Sequence, residues 1–317
     1  MKYAVIADVH GNAPALHLAM ADALDRGAQG FLFAGDYCIR APWPNEVVAL
    51  LRGAPQRVAI RGNEERYLHV PDGDDGQFAV SRWARNELKR AHIEWIDALP
   101  ERADFTCEGV AIHMAHSSEA FIGDAEIGRF ATRMLPLRYP DGPVAHDAFL
   151  ADVRGALARD AALQRRLLDM PGGVYIFGHT HSQWHARFGD HLLLNPGSCG
   201  QPLDCQEFGA AYTLLTVQSG EATVEERRVR YDAEALIARA RATGLYREAP
   251  VWSEIVFGEW RSGRELAMYF LRYAEAYAKR VGDPARPFSR DTWNAAFRAW
   301  RREPDPRMMV SDADFPR

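Results

Sequence analysis

The chain opens Met1-Lys2-Tyr3-Ala4-Val5-Ile6-Ala7-Asp8-Val9-His10-Gly11-Asn12, and this stretch decides the fold class. Residues 3–7 form a short apolar run of buried-strand type that stops at a carboxylate and an imidazole. Residues 13–26 then carry Leu16, Met20 and Leu24 at the four-residue spacing of a helix face. The same unit repeats downstream. Residues 30–34 are a second apolar strand ending in Gly35-Asp36, and residues 44–52, opened by Pro44, read as a helix. Residues 57–60 are a third strand, ending in Arg61-Gly62-Asn63. Strand–helix–strand repetition with short links predicts an α/β fold with a largely parallel sheet. Ligands gather beyond the carboxyl ends of such strands.

Further along, residues 71–76 are a polar Gly- and Asp-rich loop and residues 77–99 read as one long helix. Residues 110–115 form a strand ending at His116, and residues 117–173 read as mainly helical, placed to cap the site. A short strand at 174–177 leads into Gly178-His179-Thr180-His181. Runs at 184–188, 191–194, 210–217 and 222–229 predict a second sheet packed against the first. From Asp232 the character changes: residues 232–242 read as a capped helix, and Leu266, Phe270, Tyr273 and Tyr277 form a largely aromatic stripe. Trp293, Phe297 and Trp300 follow at helical spacing. Such a stripe is core packing first, and a partner or homo-oligomer face second. The expected division is a catalytic domain at 1–231 and a helical carboxyl-terminal extension at 232–317.

Composition narrows the function classes. With 47% hydrophobic and 26% charged residues, the 317-residue chain is not disordered as its main state. A net charge of −5 gives no basic footprint for an extended nucleic-acid surface. No stretch approaches the ~20 apolar residues a membrane span needs. The amino terminus runs directly into a strand, not a secretion signal. Cys38, Cys107, Cys199 and Cys205 are too scattered for a disulfide framework, and the spacing of the last two fits neither a redox pair nor a zinc knuckle. A cytoplasmic protein is expected.

Five short motifs end the predicted strands: Asp8-Val9-His10, Gly35-Asp36, Gly62-Asn63, His116 and Gly178-His179-Thr180-His181. Only the last is rare alone, at about 0.03 chance occurrences in a chain of this composition, so the weight rests on the set. Singly, Asp8 could cap a helix and Asp36 could be a turn residue. Together they supply two carboxylates, four imidazoles and one amide oxygen. Mixed O/N ligation without thiolate suits Mn²⁺, Fe, Zn²⁺ or Ni²⁺. Seven ligands exceed one mononuclear site and match two metals sharing a carboxylate, the clamp used for displacement at phosphorus. His113, three residues before His116, points to the opposite strand face and reads as a core histidine.

At these motifs the sequence resembles the calcineurin-like metallophosphoesterases over roughly residues 1–230. Asp8-Val9-His10-Gly11-Asn12, Gly35-Asp36 through Pro42-Trp43-Pro44-Asn45-Glu46, and Asn195-Pro196-Gly197-Ser198 look like the small prokaryotic phosphodiesterase branch. The resemblance implies two facing mixed β-sheets flanked by helices. It implies one metal on Asp8, His10, Asp36 and His181, and a second on Asp36, Asn63, His116 and His179. Asn12 and Arg40 are the expected substrate-binding residues, Arg40 because a guanidinium at this place grips phosphate in similar phosphatases. A departure lies at Gly62-Asn63-Glu64-Glu65, where the family commonly has a histidine after the asparagine. Glu64 cannot donate a proton when ionised, which points to substrates with good leaving groups.

The implied activity is a dinuclear metal-dependent phosphohydrolase, a phosphodiesterase first, with a metal-bridging hydroxide attacking phosphorus in line and Arg40 and Glu64 at the catalytic centre. Phosphomonoesters and dinucleoside polyphosphates stay open as substrates. A retromer subunit of this fold resembles the family yet serves in assembly, so a non-catalytic scaffold is the rival reading.

Overall fold

The computed structural model describes residues 1–123, 135–139 and 142–303. Ten strands are present among them: β1 (Lys2–Ile6), β2 (Gly30–Phe33), β3 (Arg57–Ala59), β4 (Arg102–Cys107), β5 (Val110–Ala115), β6 (Gly173–Ile176), β7 (Gln183–Phe188), β8 (His191–Pro196), β9 (Ala210–Gln218) and β10 (Glu221–Val229). They form two five-stranded sheets, in the orders β10-β9-β1-β2-β3 and β4-β5-β6-β8-β7. The pairs β1–β2, β2–β3, β5–β6 and β6–β8 are parallel, while the outer strands pair antiparallel. The sheets are mixed, as expected.

The two-residue period of a strand sorts side chains into layers. Val5, Leu32, Ile112, Met114, Val174, Ile176, Leu192 and Leu194 meet between the sheets. Their neighbours Ala4, Ile6, Phe31 and Phe33 face helices on the other side of the first sheet. Tyr175, Phe177 and Leu193 face helices outside the second sheet. Each fully buried Leu, Ile or Phe contributes about 1.5–3 kcal/mol, so register is strongly specified.

Four expectations change. The strands at 210–217 and 222–229 do not extend the second sheet; β9 pairs with β1 and completes the first. The strand β4 was not anticipated, although Glu108-Gly109, both at positive φ, is a tight hairpin link to β5. The helix expected over 77–99 is two helices, Ala79–Glu87 and Arg90–Asp97. The break is held by Asn45, whose side chain donates to Glu87 O (2.8 Å) and accepts from Lys89 N (2.9 Å). The helices described between 117 and 173 pack Phe149, Val153 and Leu163 on the outer face of the second sheet instead of capping the site. The part of that expectation falling on 124–134 and 140–141 lies outside the described residues.

The carboxyl-terminal segment is helical: Ala233–Arg241, Gly244–Glu248, Pro250–Ser262, Ala267–Val281 and Arg290–Trp300. Phe270, Tyr273, Trp293 and Trp300 turn inward and share one apolar cluster with Leu16, Phe31 and Trp83. The aromatic stripe is therefore core. Residues 304–317 lie outside the description. Among the described residues, no helix is long and apolar enough to cross a membrane.

Candidate metal centre

The carboxyl ends of β1, β2, β3, β5 and β6 lead into loops that bring the motif side chains to one rim. Main-chain bonds lace these loops together: Asp8 N donates to Gly35 O (3.0 Å), His10 N to Asp36 O (3.0 Å) and Gly178 N to His116 O (2.9 Å). Asp8, His10, Asp36, His179 and His181 all have left-handed backbone, with φ between 50° and 68°. Non-glycine residues in that region are strained, and such strain concentrates at functional sites. Gly62 and Gly178 complete the cradle. A Cβ at the first would collide with the Asp36 carboxylate, and one at the second with the Asp8 carboxylate.

Two ligand sets result. Asp8, His10 and His181 converge with ligand atoms within 4.8 Å of one another, and so do Asp36, His116 and His179. Asp36 also falls within that distance of His10 and Glu64, which links the sets. His10 Nε2 lies 3.0 Å from His181 Nε2, and His116 Nε2 lies 3.1 Å from Asp36 Oδ2. Three histidines turn their other nitrogen to the backbone: His10 Nδ1 to Ile39 O (3.2 Å), His116 Nδ1 to Ala34 O (2.7 Å) and His181 Nδ1 to Gln201 O (2.7 Å). A donating Nδ1–H fixes the tautomer that offers Nε2 to a cation.

The donor set fits divalent metals by a direct criterion. Asn63 Oδ1 is a buried atom with no hydrogen-bond partner. It would be costly to leave so unless a cation completes it. Electrostatics agree. Burial pushes the Asp8 carboxyl up to about 7. Burial alone would also raise Asp36, but the facing His116 outweighs it and holds that carboxyl well below the usual range. His116 in turn, against the pull of burial, is raised to about 10 by Asp36. Positive charge is stabilised on His116 beside Asp36, whereas burial, with the neighbouring His116 and His10, lowers His179 and His181 and keeps them neutral donors.

Residues behind the rim hold it in place. Glu65 accepts from Asp36 N (3.0 Å), Tyr37 N (2.6 Å) and Gly62 N (2.6 Å), tying the second motif to the third. Asn195 donates to Gly178 O (2.8 Å) and Thr180 Oγ1 (3.0 Å), and Ser198 Oγ to Asp8 O (2.6 Å). The sequence quotes these residues without revealing their use, because each acts across a large gap in the chain.

The remaining expected residues divide. Arg40 reaches the pocket, but its Nε and Nη2 donate to the Glu64 carboxylate and its guanidinium lies 5.6 Å from the Trp252 ring centre. Glu64 also lies 3.3 Å from His10 Nδ1. Burial would raise its pKa; Arg40 and His10 outweigh that and bring it to about 2. Asn12 does not reach the substrate side. Its Oδ1 accepts from Ala15 N (3.2 Å), capping the first helix, and its Nδ2 donates to Gly200 O and Tyr231 Oη (3.0 Å each). The side chain is fully buried, bonded to the scaffold through both polar atoms and absent from the cavity lining, so the geometry does not place it as a substrate-binding residue.

Above the rim lies a cavity of about 470 Å³. Trp252, Ala267, Met268 and Leu271 from the carboxyl-terminal helices, with Glu265 from the link between two of them, line part of it. None of the described residues between 117 and 173 lines it. The extension thus covers the site, which the periodicity of its sequence did not reveal.

What the fold and this rim define together is a metal-dependent phosphoesterase. Residues 1–220 match the calcineurin-like phosphoesterase superfamily domain, and the chain belongs to that family, whose members use divalent metal ions. The uncharacterized protein MJ0912 of Methanocaldococcus jannaschii is 26% identical over 234 residues, covering 72% of this chain and 87% of that protein. A metallophosphoesterase from Sphaerobacter thermophilus has a similar structure, with TM-score 0.56 and 21% identity over 83% of this chain and 99% of its own. The hypothetical protein PH1004 from Pyrococcus horikoshii OT3 gives TM-score 0.56 at 17% identity, covering 84% and 99%. At these identities the two structures speak for the fold alone.

Proposed function

We propose that this phosphoesterase holds two divalent cations and hydrolyses phosphodiesters. The observation that carries the reading is the pair of ligand sets joined through Asp36. Asp8, His10, Asp36 and His181 would hold one cation; Asp36, Asn63, His116 and His179 the other. Bound there, the pair supplies Lewis acidity toward phosphate oxygens and acidifies water. Donors of this kind accommodate Mn²⁺, Fe, Zn²⁺ or Ni²⁺. Four cysteines that form no disulfide among the described residues are in keeping with a cytoplasmic protein.

The protein's own charges favour a diester. Arg40 would meet a phosphoryl oxygen, but Glu64 cancels its charge in a short ion pair. The pocket therefore offers less positive charge to a dianionic monoester than an unpaired arginine would, and a monoanionic diester loses less by this. Glu64 is ionised at neutral pH, so it holds Arg40 and His10 and supplies no proton to the leaving oxygen. That favours leaving groups stable as anions.

Two assays test the reading. With the protein loaded separately with Mn²⁺, Fe²⁺, Zn²⁺ and Ni²⁺, bis(p-nitrophenyl) phosphate should turn over with higher kcat/KM than p-nitrophenyl phosphate. Faster monoester hydrolysis would overturn the diester assignment. Tight metal binding without turnover of either would favour the scaffold reading. For Glu64, aryl diesters of graded leaving-group pKa should show a steep dependence that flattens in Glu64→His; an unchanged slope would remove the proton argument.

A further inference from the structure

Resting on the phosphodiesterase reading, we infer that the wall formed by Tyr67, Phe78, Met268 and Leu271 selects substrates carrying a planar aromatic group of nucleobase size beside the phosphorus. Besides the candidate ligands Asp36, Asn63, His179 and His181, the cavity is lined by Tyr67 and Phe78, a tilted aromatic pair with ring centres 5.8 Å apart and both rings half-buried. Met268 and Leu271 face the same space from the helix Ala267–Val281 and leave apolar surface uncovered; Met268 is 38% exposed. This apolar strip of the lining has no use in binding phosphate itself.

Size and polarity decide what would fill it. About 470 Å³ lies toward the small end of small-molecule sites, enough for one ring system beside a phosphate and too little for a long acyl chain. Gln77 and Ser81 also line the cavity, so an amide and a hydroxyl stand beside the apolar strip. A hydrocarbon has no partner for them, whereas the polar edge of a heteroaromatic ring does. Aromatic side chains accept any base by its π-face, so this wall would choose for an aromatic ring without choosing which one. Exposed methionine adds a polarisable surface that adapts to ring shape.

Apart from Tyr67, which follows Glu65 of the rim in one short helix, the wall belongs to elements that contribute no metal ligand. Phe78 precedes the helix Ala79–Glu87, and its main-chain N–H donates to Asp75 Oδ1 (2.7 Å). The helix Ala267–Val281 is started by Glu259, which accepts from Leu266 N (2.8 Å) and Ala267 N (2.9 Å). Selection can therefore be altered apart from the ligands.

The test uses two diesters with one leaving group: the p-nitrophenyl ester of thymidine 5′-phosphate and methyl p-nitrophenyl phosphate. The full-length, metal-loaded protein should favour the nucleoside ester by about 10–100-fold in kcat/KM, the range one stacked base supplies. Phe78→Ala and Leu271→Ala should each reduce that ratio several-fold, and Phe78→Tyr should retain it, which separates loss of the wall from loss of the fold. Good turnover of both esters at equal kcat/KM would overturn the inference and leave the phosphodiesterase reading standing. If neither ester turns over, that reading fails. Calorimetric binding of thymidine 5′-phosphate against methyl phosphate then decides: a ratio above about 10 that falls in Phe78→Ala supports the wall, and equal affinities sink it.

Discussion

The rim and the wall of the cavity are built on opposite principles. Rim residues come from five strand ends spread over positions 8 to 181, and the backbone at Asp8, His10, Asp36, His179 and His181 is strained to aim them. Wall residues from the carboxyl-terminal segment sit on regular helices whose apolar faces continue into the core through Phe270 and Trp293. The rim is polar, charged and fixed by hydrogen bonds to main chain; the wall is mostly apolar and fixed mainly by packing, with Glu259 capping its helix. The difference teaches that chemistry and access can be lost separately: one fails by a misplaced charge, the other by a cavity or a melted helix.

The largest effect should come from the residue that joins the two ligand sets. Asp36→Asn is expected to lower kcat by at least about a thousandfold and to lower bound metal per chain, measured together on the folded variant. Retained metal and activity would break the rim account. Chelation comes next. Dialysis against a chelator should abolish turnover and lower Tm, and the metal should restore both, since an ion present at 100 times its Kd stabilises by about 2.7 kcal/mol.

On the wall side, Phe270→Ala removes a fully buried ring packed against Trp293, with ring centres 4.7 Å apart. It should cost about 3–5 kcal/mol in denaturant unfolding. Metal bound to the folded fraction should stay unchanged, and a proportional loss would erase the contrast drawn here. Glu259→Ala is expected to cost about 1–3 kcal/mol, because two main-chain donors at the start of the helix Ala267–Val281 and the Gln201 amide lose their acceptor. Gln201 O also accepts from His181, so this variant should loosen metal binding more than Phe270→Ala does.

The smallest effect lies far from both regions. Glu226 binds His146 (2.6 Å) and His185 (2.8 Å) across the edges of the two sheets. Burial would raise the Glu226 carboxyl, but its histidine partners hold it below the ordinary value of 4.5, and its stabilisation is lost as pH falls through that depressed pKa. The hydrogen bond that His146 donates to Glu226 raises His146 above 6.5, so that share is complete below 6.5 and lost as pH rises through the raised pKa. Glu226→Gln should therefore cost most between pH 4.5 and 6.5, by under about 1 kcal/mol, read from Tm against pH.

That the seven candidate ligands would meet at one rim was legible because a strand that ends at a rim must change abruptly from apolar to polar, and Asp8, Asp36, Asn63 and His116 mark those changes. That a second sheet packs on the first was legible from the strand pattern, but not which strands it holds, because β9 pairs with β1 across most of the chain. Asn12 was misread because its motif shows that it neighbours the site, while its contacts with Gly200 and Tyr231 are made across most of the chain. The break at Leu88-Lys89 was hidden because the side chain that holds it belongs to Asn45. A signal for Glu259 was present, a lone carboxylate amid Val256, Phe257 and Trp260, which only makes sense if main-chain donors meet it.

The sequence by itself determined the donor set, the strand–helix alternation and the aromatic content of the extension, since residue type and spacing carry these directly. Only the tertiary structure decided that Glu64 neutralises Arg40, that β9 closes the first sheet, and that the terminal helices wall the cavity. Each of those depends on which surfaces meet after folding, and burial pairs distant segments by shape and charge, which no local period records.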